Sequence, residues 1–234
     1  MNTLKGPFLL MFKEMRLTFY INFGITIALM ALYIFLSYST GENGDLGSIF
    51  GPFYAVFLIY PFILFQGYKY ILSLGGTRRQ FMMATFASVS IYMVLSVLIL
   101  NGLHLLSQFF IDQGQMFHMA DLVNGSHPLL YIWIDLLWVV FLFGVGIMIK
   151  TIWFNLGNVR TLICGAILLM VLITTYTFAD LSPFIEFVIV DHLLFVHILA
   201  GIAVLFMLLS FLIMRNGPLE RGDRARFIGK QQPE

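Results

Sequence analysis

Six long stretches of this sequence are almost free of charged side chains. Five contain no Asp, Glu, Lys or Arg: residues 17–41, 46–68, 80–111, 161–179 and 192–214. The sixth stretch, residues 122–149, is interrupted by Asp135. About 20 apolar residues cross a bilayer as an α-helix, so each stretch is long enough to span a membrane. The sequence therefore predicts an all-α integral membrane protein with six transmembrane helices.

The composition argues against a soluble protein. Of the 234 residues, 60% are hydrophobic and 11% are charged, whereas soluble domains carry about 25% charged residues. The pattern also argues against the strands of a membrane barrel. Such strands alternate apolar and polar residues, whereas residues 91–100 and 200–213 are apolar on every face. We expect a single membrane domain, residues 17–214, whose spans cover about 18–39, 50–71, 82–107, 128–149, 161–179 and 193–214.

Lysine and arginine occupy alternate connections between these spans. All 13 lie before span one, between spans two and three, between spans four and five, or after span six. The other connections carry acidic residues such as Asp121 and Asp180, and no cation. The positive-inside bias therefore predicts a multi-pass protein of the cell membrane with both termini in the cytoplasm. Residues 215–234 form a basic cytoplasmic tail in this interpretation.

The segment before the first span, residues 1–16, has an apolar face. Pro7 suits the start of a helix, and four apolar residues follow at three- and four-residue spacing: Phe8, Met11, Phe12 and Met15. This pattern predicts an amphipathic helix lying in the cytoplasmic membrane interface. A positively charged anchor that sets the topology is the alternative.

A short basic turn separates spans two and three. It consists of Leu74, Gly75, Gly76, Thr77, Arg78, Arg79, Gln80 and Phe81. The glycines can end one helix, and Thr77 with Gln80 fits a capping box that starts the next. Two arginines then occupy a first helical turn, where the macrodipole disfavours cations. Lipid headgroups can explain them, and so can docking to the carboxylates of a cytoplasmic partner.

Together, the basic N-terminal helix, the six spans with both ends inside and the turn from Leu74 to Phe81 resemble the permease subunit of an ABC-2 type ABC exporter. The resemblance implies that residues 1–16 are the elbow helix of that family. It also implies that the turn belongs to a coupling helix, which rests in a groove of an ATPase subunit. The implied function is outward transport of a hydrophobic or amphipathic substrate, such as a peptide, lipid or drug, by alternating access.

The same resemblance implies the partners. They are two copies of a cytoplasmic ABC ATPase and a second permease subunit, in a homodimer or a heterodimer within membrane lipid; nucleic acid is not expected. The chain has no Gly-x-x-x-x-Gly-Lys-Ser/Thr loop, so we expect no cofactor and no catalysis here, with ATP and Mg²⁺ bound by the ATPase. Trp153, Phe154 and Asn155 are a possible second docking contact, although headgroup anchoring by the aromatic rings explains them equally well.

Asp135 is an acidic residue within a predicted span, about 10 Å from the outer end of span four at 1.5 Å per residue. A carboxylate at this depth is costly, so it should face the bundle and have a partner. His104 and His197 lie at comparable depth. A proton relay or ligand-binding cluster is one interpretation, and hydrogen bonding that fixes the helix register is the other. A metal site is not expected, because no ligand pair shows helical i, i+4 spacing.

Several local features complete the prediction. Pro52 and Pro61 should bend or break span two, which in a transporter can act as a hinge. Between spans five and six, Ser182 as cap and Pro183 in the first helical position predict a short helix. Residues 109–127 are polar and predict an irregular outward loop, which contains the Asn-x-Ser triplet of residues 124–126.

Two other function classes compete with the exporter subunit. An intramembrane enzyme needs paired catalytic groups, and the sequence contains no His-Glu-x-x-His, Gly-x-Ser-x-Gly or Gly-x-Gly-Asp motif. A non-ABC membrane protein, such as a small secondary carrier or an accessory or immunity protein, is the closer alternative. Carriers often repeat broken helices in their two halves, but span five has no proline to match those of span two.

Overall fold

The computed structural model describes residues 4–40, 48–110, 117–123 and 127–219, which are helical with no strand in these ranges. The α-helices are α1 (Lys5–Thr40), α2 (Gly51–Leu64), α3 (Tyr68–Ser73), α4 (Arg78–Ser107), α5 (Pro128–Leu156), α6 (Asn158–Phe178), α7 (Ser182–Val190) and α8 (His192–Arg215). Two 3₁₀ segments cover Phe65–Gly67 and Met119–Leu122. The six helices predicted to be long and apolar enough to cross a membrane are all present, with α2, Phe65–Gly67 and α3 forming the second.

Helix α1 includes both the segment predicted to be an interfacial helix, residues 1–16, and the first span. It runs for 36 residues without interruption from Lys5, since no proline follows Pro7 before the helix ends. Met11 and Met15 are fully buried, and the Tyr92 hydroxyl of α4 donates to the Phe12 carbonyl over 2.9 Å. The apolar face of this segment therefore packs on the protein itself.

Pro52 and Pro61 both predict a bend or break in the second span, and the α-helix is interrupted at one place. Pro52 lies in the first turn of α2, where a missing N–H costs no helical hydrogen bond. Pro61 lies inside α2, which ends at Leu64 and passes through the 3₁₀ segment Phe65–Gly67 into the short helix α3. The break is thus a few residues beyond Pro61, close to the basic turn.

Helix α5 is the centre of the bundle and packs against α8, α2 and α4. Two glycines permit close approach: a Cβ on Gly144 would collide with Ala203 of α8, and one on Gly146 with the Leu58 carbonyl of α2.

Helix α6 differs from α5 in its burial. It starts directly after Gly157, whose φ is 81°, and it has no buried residue in its described length.

The short helix α7 was predicted, but its cap differs from the prediction. Ser182 is the first helical residue, and Asp180 accepts a hydrogen bond from the Ser182 N–H over 3.0 Å. This backbone hydrogen bond lowers the pKa of the exposed Asp180 carboxyl below its ordinary value.

The connection over residues 109–127, which was predicted to be irregular, contains a 3₁₀ turn at Met119–Leu122. The triplet at residues 124–126 and the tail beyond residue 219 lie outside the described residues.

Alternating chain direction gives the bundle two chemically different ends. The basic end comprises the start of α1, the α3–α4 turn, the α5–α6 junction and the end of α8. The cations described there are Lys5, Lys13, Arg16, Lys69, Arg78, Arg79, Lys150, Arg160 and Arg215. The acidic end comprises the starts of α2 and α5, the end of α4 and the Met119–Leu122 segment, with Asp121 and Asp135.

Candidate functional sites at the two ends of the bundle

The turn at the basic end is closed by two standard backbone motifs. After α3, the Gly76 N–H donates to the Ile71 carbonyl over 2.8 Å and the Gly75 N–H to the Leu72 carbonyl over 3.1 Å. This is a Schellman motif, and it requires the left-handed conformation that Gly75 adopts, with φ 82°. The glycines thus end the helix as the sequence predicts.

The predicted capping box begins α4. The Thr77 hydroxyl accepts from the Gln80 N–H over 3.2 Å, and the Gln80 side chain accepts from the Thr77 N–H over 2.8 Å. The capping box therefore satisfies two backbone donors at the helix start within the turn. With the Schellman motif on the other side, the conformation of the turn is fixed by its own hydrogen bonds.

An aromatic cluster joins this turn to the rest of the basic end. The rings of Phe81 and Phe154 lie 5.0 and 5.1 Å from the Tyr68 ring, and both also contact Phe65. The Tyr68 hydroxyl donates to the Pro218 carbonyl beyond α8, over 3.1 Å. The structure therefore brings together the two segments that the sequence names as possible docking contacts.

The predicted docking residues divide into exposed and buried ones. Leu74 is 83% exposed and Arg79 is exposed, whereas Phe81 is fully buried and Phe154 is 8% exposed. Arg78 is half-buried and interacts with the Tyr68 hydroxyl. Phe81 and Phe154 are thus packed inside the basic end, whereas Leu74 and Arg79 are accessible at its surface.

The second predicted segment is held by its own bonds. The Trp153 indole N–H donates to the Asn158 side chain over 2.6 Å, and the Lys150 ammonium lies 4.4 Å from the Trp153 ring. The Asn155 amide donates to the Thr151 carbonyl over 2.8 Å and reaches the Met214 sulfur of α8 at 3.7 Å. These contacts tie the end of α5 to α6 and α8.

A groove of about 610 Å³ runs between the start of α1 and the turn. Its walls are mainly apolar, with Leu9, Leu10 and Ile71, and it also includes Lys13 and Gln80. The groove opens beside Leu74. The basic end therefore offers a fixed turn, an adjacent concave surface and exposed positive charge.

At the acidic end, Asp135 is fully buried and has hydrogen-bond partners, as expected for a carboxylate inside a span. One carboxylate oxygen accepts from the Tyr54 hydroxyl of α2 over 2.6 Å. The other accepts from the Asn101 amide of α4 over 2.6 Å and lies 3.1 Å from Nε2 of His118. Asp135 thus joins three helices and the Met119–Leu122 segment.

The hydrogen bonds made by its two ring nitrogens determine the tautomer of His118. Nδ1 accepts from the Ala120 N–H over 2.9 Å, so the proton of the neutral ring lies on Nε2 and is donated to Asp135. Asp121 accepts from the His118 backbone N–H over 2.8 Å and from the Tyr131 hydroxyl over 2.6 Å. His118 is fully buried, and the connection between α4 and α5 is therefore anchored inside the bundle.

The structure places one of the two predicted histidines beside this network. The ring centroids of His104 and His118 are 5.1 Å apart, and Nδ1 of His104 is buried without a hydrogen-bond partner among the described residues. His197 lies elsewhere, where its Nε2 accepts from the Trp133 indole over 3.1 Å. In the described part of the chain, no three His, Cys, Asp or Glu side chains are arranged to hold a metal ion.

Sequence reasoning missed all three side chains that bond Asp135 in the described part of the chain: Tyr54, Asn101 and His118. Tyrosine and asparagine in apolar spans are too common to signal a partner for a particular acid. His118 followed by Asp121 was a weak signal, because an acidic residue three positions after a helix cap is typical of a capping box. Histidine is not among the preferred caps, so the pattern does not stand out.

Comparison with known protein families, curated proteins and solved structures finds no match for this chain.

Proposed function

We propose that this chain is the membrane-spanning subunit of an ATP-driven exporter of the ABC-2 type, with its basic end and both termini in the cytoplasm. The observation that carries the proposal is the turn from Leu74 to Phe81. It is fixed by two backbone motifs, anchored by buried aromatic rings, and exposed at Leu74 and Arg79. A surface that receives force from another protein needs both rigidity and exposure.

Charge supports docking at this end. Arg78 and Arg79 occupy the first turn of α4, where the helix dipole disfavours them. A partner surface with carboxylates would offset that cost, and guanidinium groups bind carboxylates with two parallel hydrogen bonds. The groove between α1 and the turn gives such a partner a concave apolar surface next to the charges.

The break in the second span supports transmission of movement. Helix α3 and the turn form a short unit that is joined to α2 through the 3₁₀ segment Phe65–Gly67. At its other end, α2 carries Tyr54, which bonds Asp135. In the proposed mechanism, closure of two ATPase subunits pushes on the turn, and α2 carries the displacement toward the acidic end and alternately opens the space between two permease subunits.

The proposed cargo is hydrophobic or amphipathic. Between α4, α5 and α8 lies a groove of about 440 Å³ at mid-span, lined by apolar side chains and the Ser90 hydroxyl. Such a surface offers little to a small ion, whose hydration would have to be replaced by polar groups. ATP and Mg²⁺ belong to the partner ATPase in this proposal.

The test is affinity purification of the full chain in mild detergent from its native host. We expect an ATP-hydrolysing protein to co-purify with the wild type and to be lost with Arg78→Glu/Arg79→Glu. The matched control is Arg160→Glu/Arg215→Glu, which makes the same change in charge at the same end but outside the turn. Equal recovery of the ATPase with both double variants, or no ATPase with the wild type, would overturn the proposed docking role.

A further inference from the structure

A cavity of about 450 Å³ lies beside the polar network at the acidic end. Its polar lining comes from Asn101, His104, Gln108 and Tyr131, and its apolar lining includes Leu105 and Ile132. The cavity is distinct from the basic turn and from the mid-span groove, and the proposed function makes no use of it.

Two polar groups that line this cavity, Asn101 and Tyr131, have directed their donors elsewhere. The Asn101 amide donates its two N–H groups to the Val97 carbonyl and to Asp135, over 2.9 and 2.6 Å. Its carbonyl oxygen is therefore left as an acceptor. The Tyr131 hydroxyl likewise donates to Asp121, which leaves its oxygen lone pair as an acceptor.

His104 supplies the observation that points to a ligand. Its side chain lines the cavity, the residue is 7% exposed, and its Nδ1 has no hydrogen-bond partner among the described residues. A buried ring nitrogen without a partner is costly. In the tautomer with the proton on Nε2, Nδ1 is an acceptor, and a donor that reaches it from the cavity would satisfy it.

The local charge is negative. Asp121 and Asp135 act as hydrogen-bond acceptors in every bond described above, and His118 is the neutral Nε2–H tautomer. No Lys or Arg occurs in residues 80–149 or in residues 17–68, so the parts of α2, α4 and α5 at the acidic end bring no cation to balance the two carboxylates. His104 lies within electrostatic range of both.

We propose that this cavity binds the ammonium group of a small organic amine. An ammonium group carries positive charge and three N–H donors, which match the acceptors on Asn101, His104 and Tyr131 and the field of the two carboxylates. The Tyr131 ring adds an aromatic face for the cation, and Leu105 and Ile132 contact the carbon skeleton of the ligand. Binding requires the chain alone and is independent of the proposed ATPase.

The experiment compares benzylamine with benzyl alcohol, which has the same size and shape but no charge at pH 7. Binding to the purified full chain in detergent is measured by isothermal titration calorimetry. We expect benzylamine to bind at least tenfold more tightly than benzyl alcohol, and to bind at least tenfold more weakly to His104→Phe than to the wild type. The matched control His197→Phe, on a histidine outside the cavity, should bind benzylamine like the wild type.

A second variant tests where benzylamine binds without altering the polar network. Leu105 is 49% exposed, and Leu105→Trp should fill the cavity and abolish benzylamine binding while the elution profile of the protein is unchanged. Equal affinity for benzylamine and benzyl alcohol, or undiminished benzylamine binding to Leu105→Trp, would overturn the proposal.

Discussion

The two ends of this molecule use polar residues in opposite ways. At the acidic end, Asp135 and His118 are fully buried and bonded to several helices. At the basic end, the bonds of the capping box stay within the turn, and Leu74 and Arg79 are exposed. Burial lets the acidic network hold helices together, whereas exposure leaves the basic turn accessible from outside the bundle. Substitutions at the two ends should therefore have different consequences.

The largest effect on stability is expected at Asp135. Asp135→Asn removes the buried charge and places an amide N–H₂ among groups that already donate to this position. Loss of one member of a buried charged network costs on the order of 3 kcal/mol. The free energy of unfolding, measured by circular dichroism during denaturant titration in detergent, should fall by about this amount.

Glu186→Gln provides the control for this substitution. Glu186 is an exposed residue of α7, so the same change of carboxylate to amide should leave the unfolding midpoint unchanged. Equal midpoints for Asp135→Asn and the wild type would contradict the view that the acidic network holds the helices together.

A smaller effect is expected at the basic end with Thr77→Ala. The substitution removes the acceptor of the Gln80 N–H and should destabilise the start of α4 by about 1 kcal/mol. Hydrogen exchange of the Gln80 amide, followed by mass spectrometry, should become faster by about fivefold for that loss. Exchange around Asp135 should not change, because the capping bonds do not reach the acidic end.

Thr175→Ala is the matched control for the cap. Thr175 is an exposed residue of α6 whose hydroxyl donates to the Val171 carbonyl inside the helix, so its loss removes no cap. Unchanged exchange of the Gln80 amide in Thr77→Ala would show that the turn does not depend on its capping box.

The spans and the basic turn could be predicted because their causes are local in sequence. Apolar length determines where a helix can cross a membrane, and the glycines with Thr77 and Gln80 contain the chemistry of the turn. The surroundings of the segment before the first span were harder to predict, because the face with Met11 and Met15 fits a membrane interface and packing against other helices equally well. Their burial against other helices decided between the two.

The acidic network could be predicted in part. An acid inside a span must have a partner, and this indicated that Asp135 was bonded. Its partners come from residues 17 to 81 positions away in sequence, and which residues meet depends on helix packing. His118 in particular enters from a connection between spans, where the sequence predicted an irregular loop.

The central claim is that the basic turn, and not the acidic end, contacts a cytoplasmic ATPase. Site-specific photocrosslinking in native membranes tests it directly, with a benzophenone amino acid in place of Leu74 or of Leu129, which are 83% and 66% exposed at opposite ends. The account predicts a crosslink from position 74 to a nucleotide-binding protein and none from position 129. A crosslink to that protein from position 129, or no protein crosslink from position 74, would contradict it.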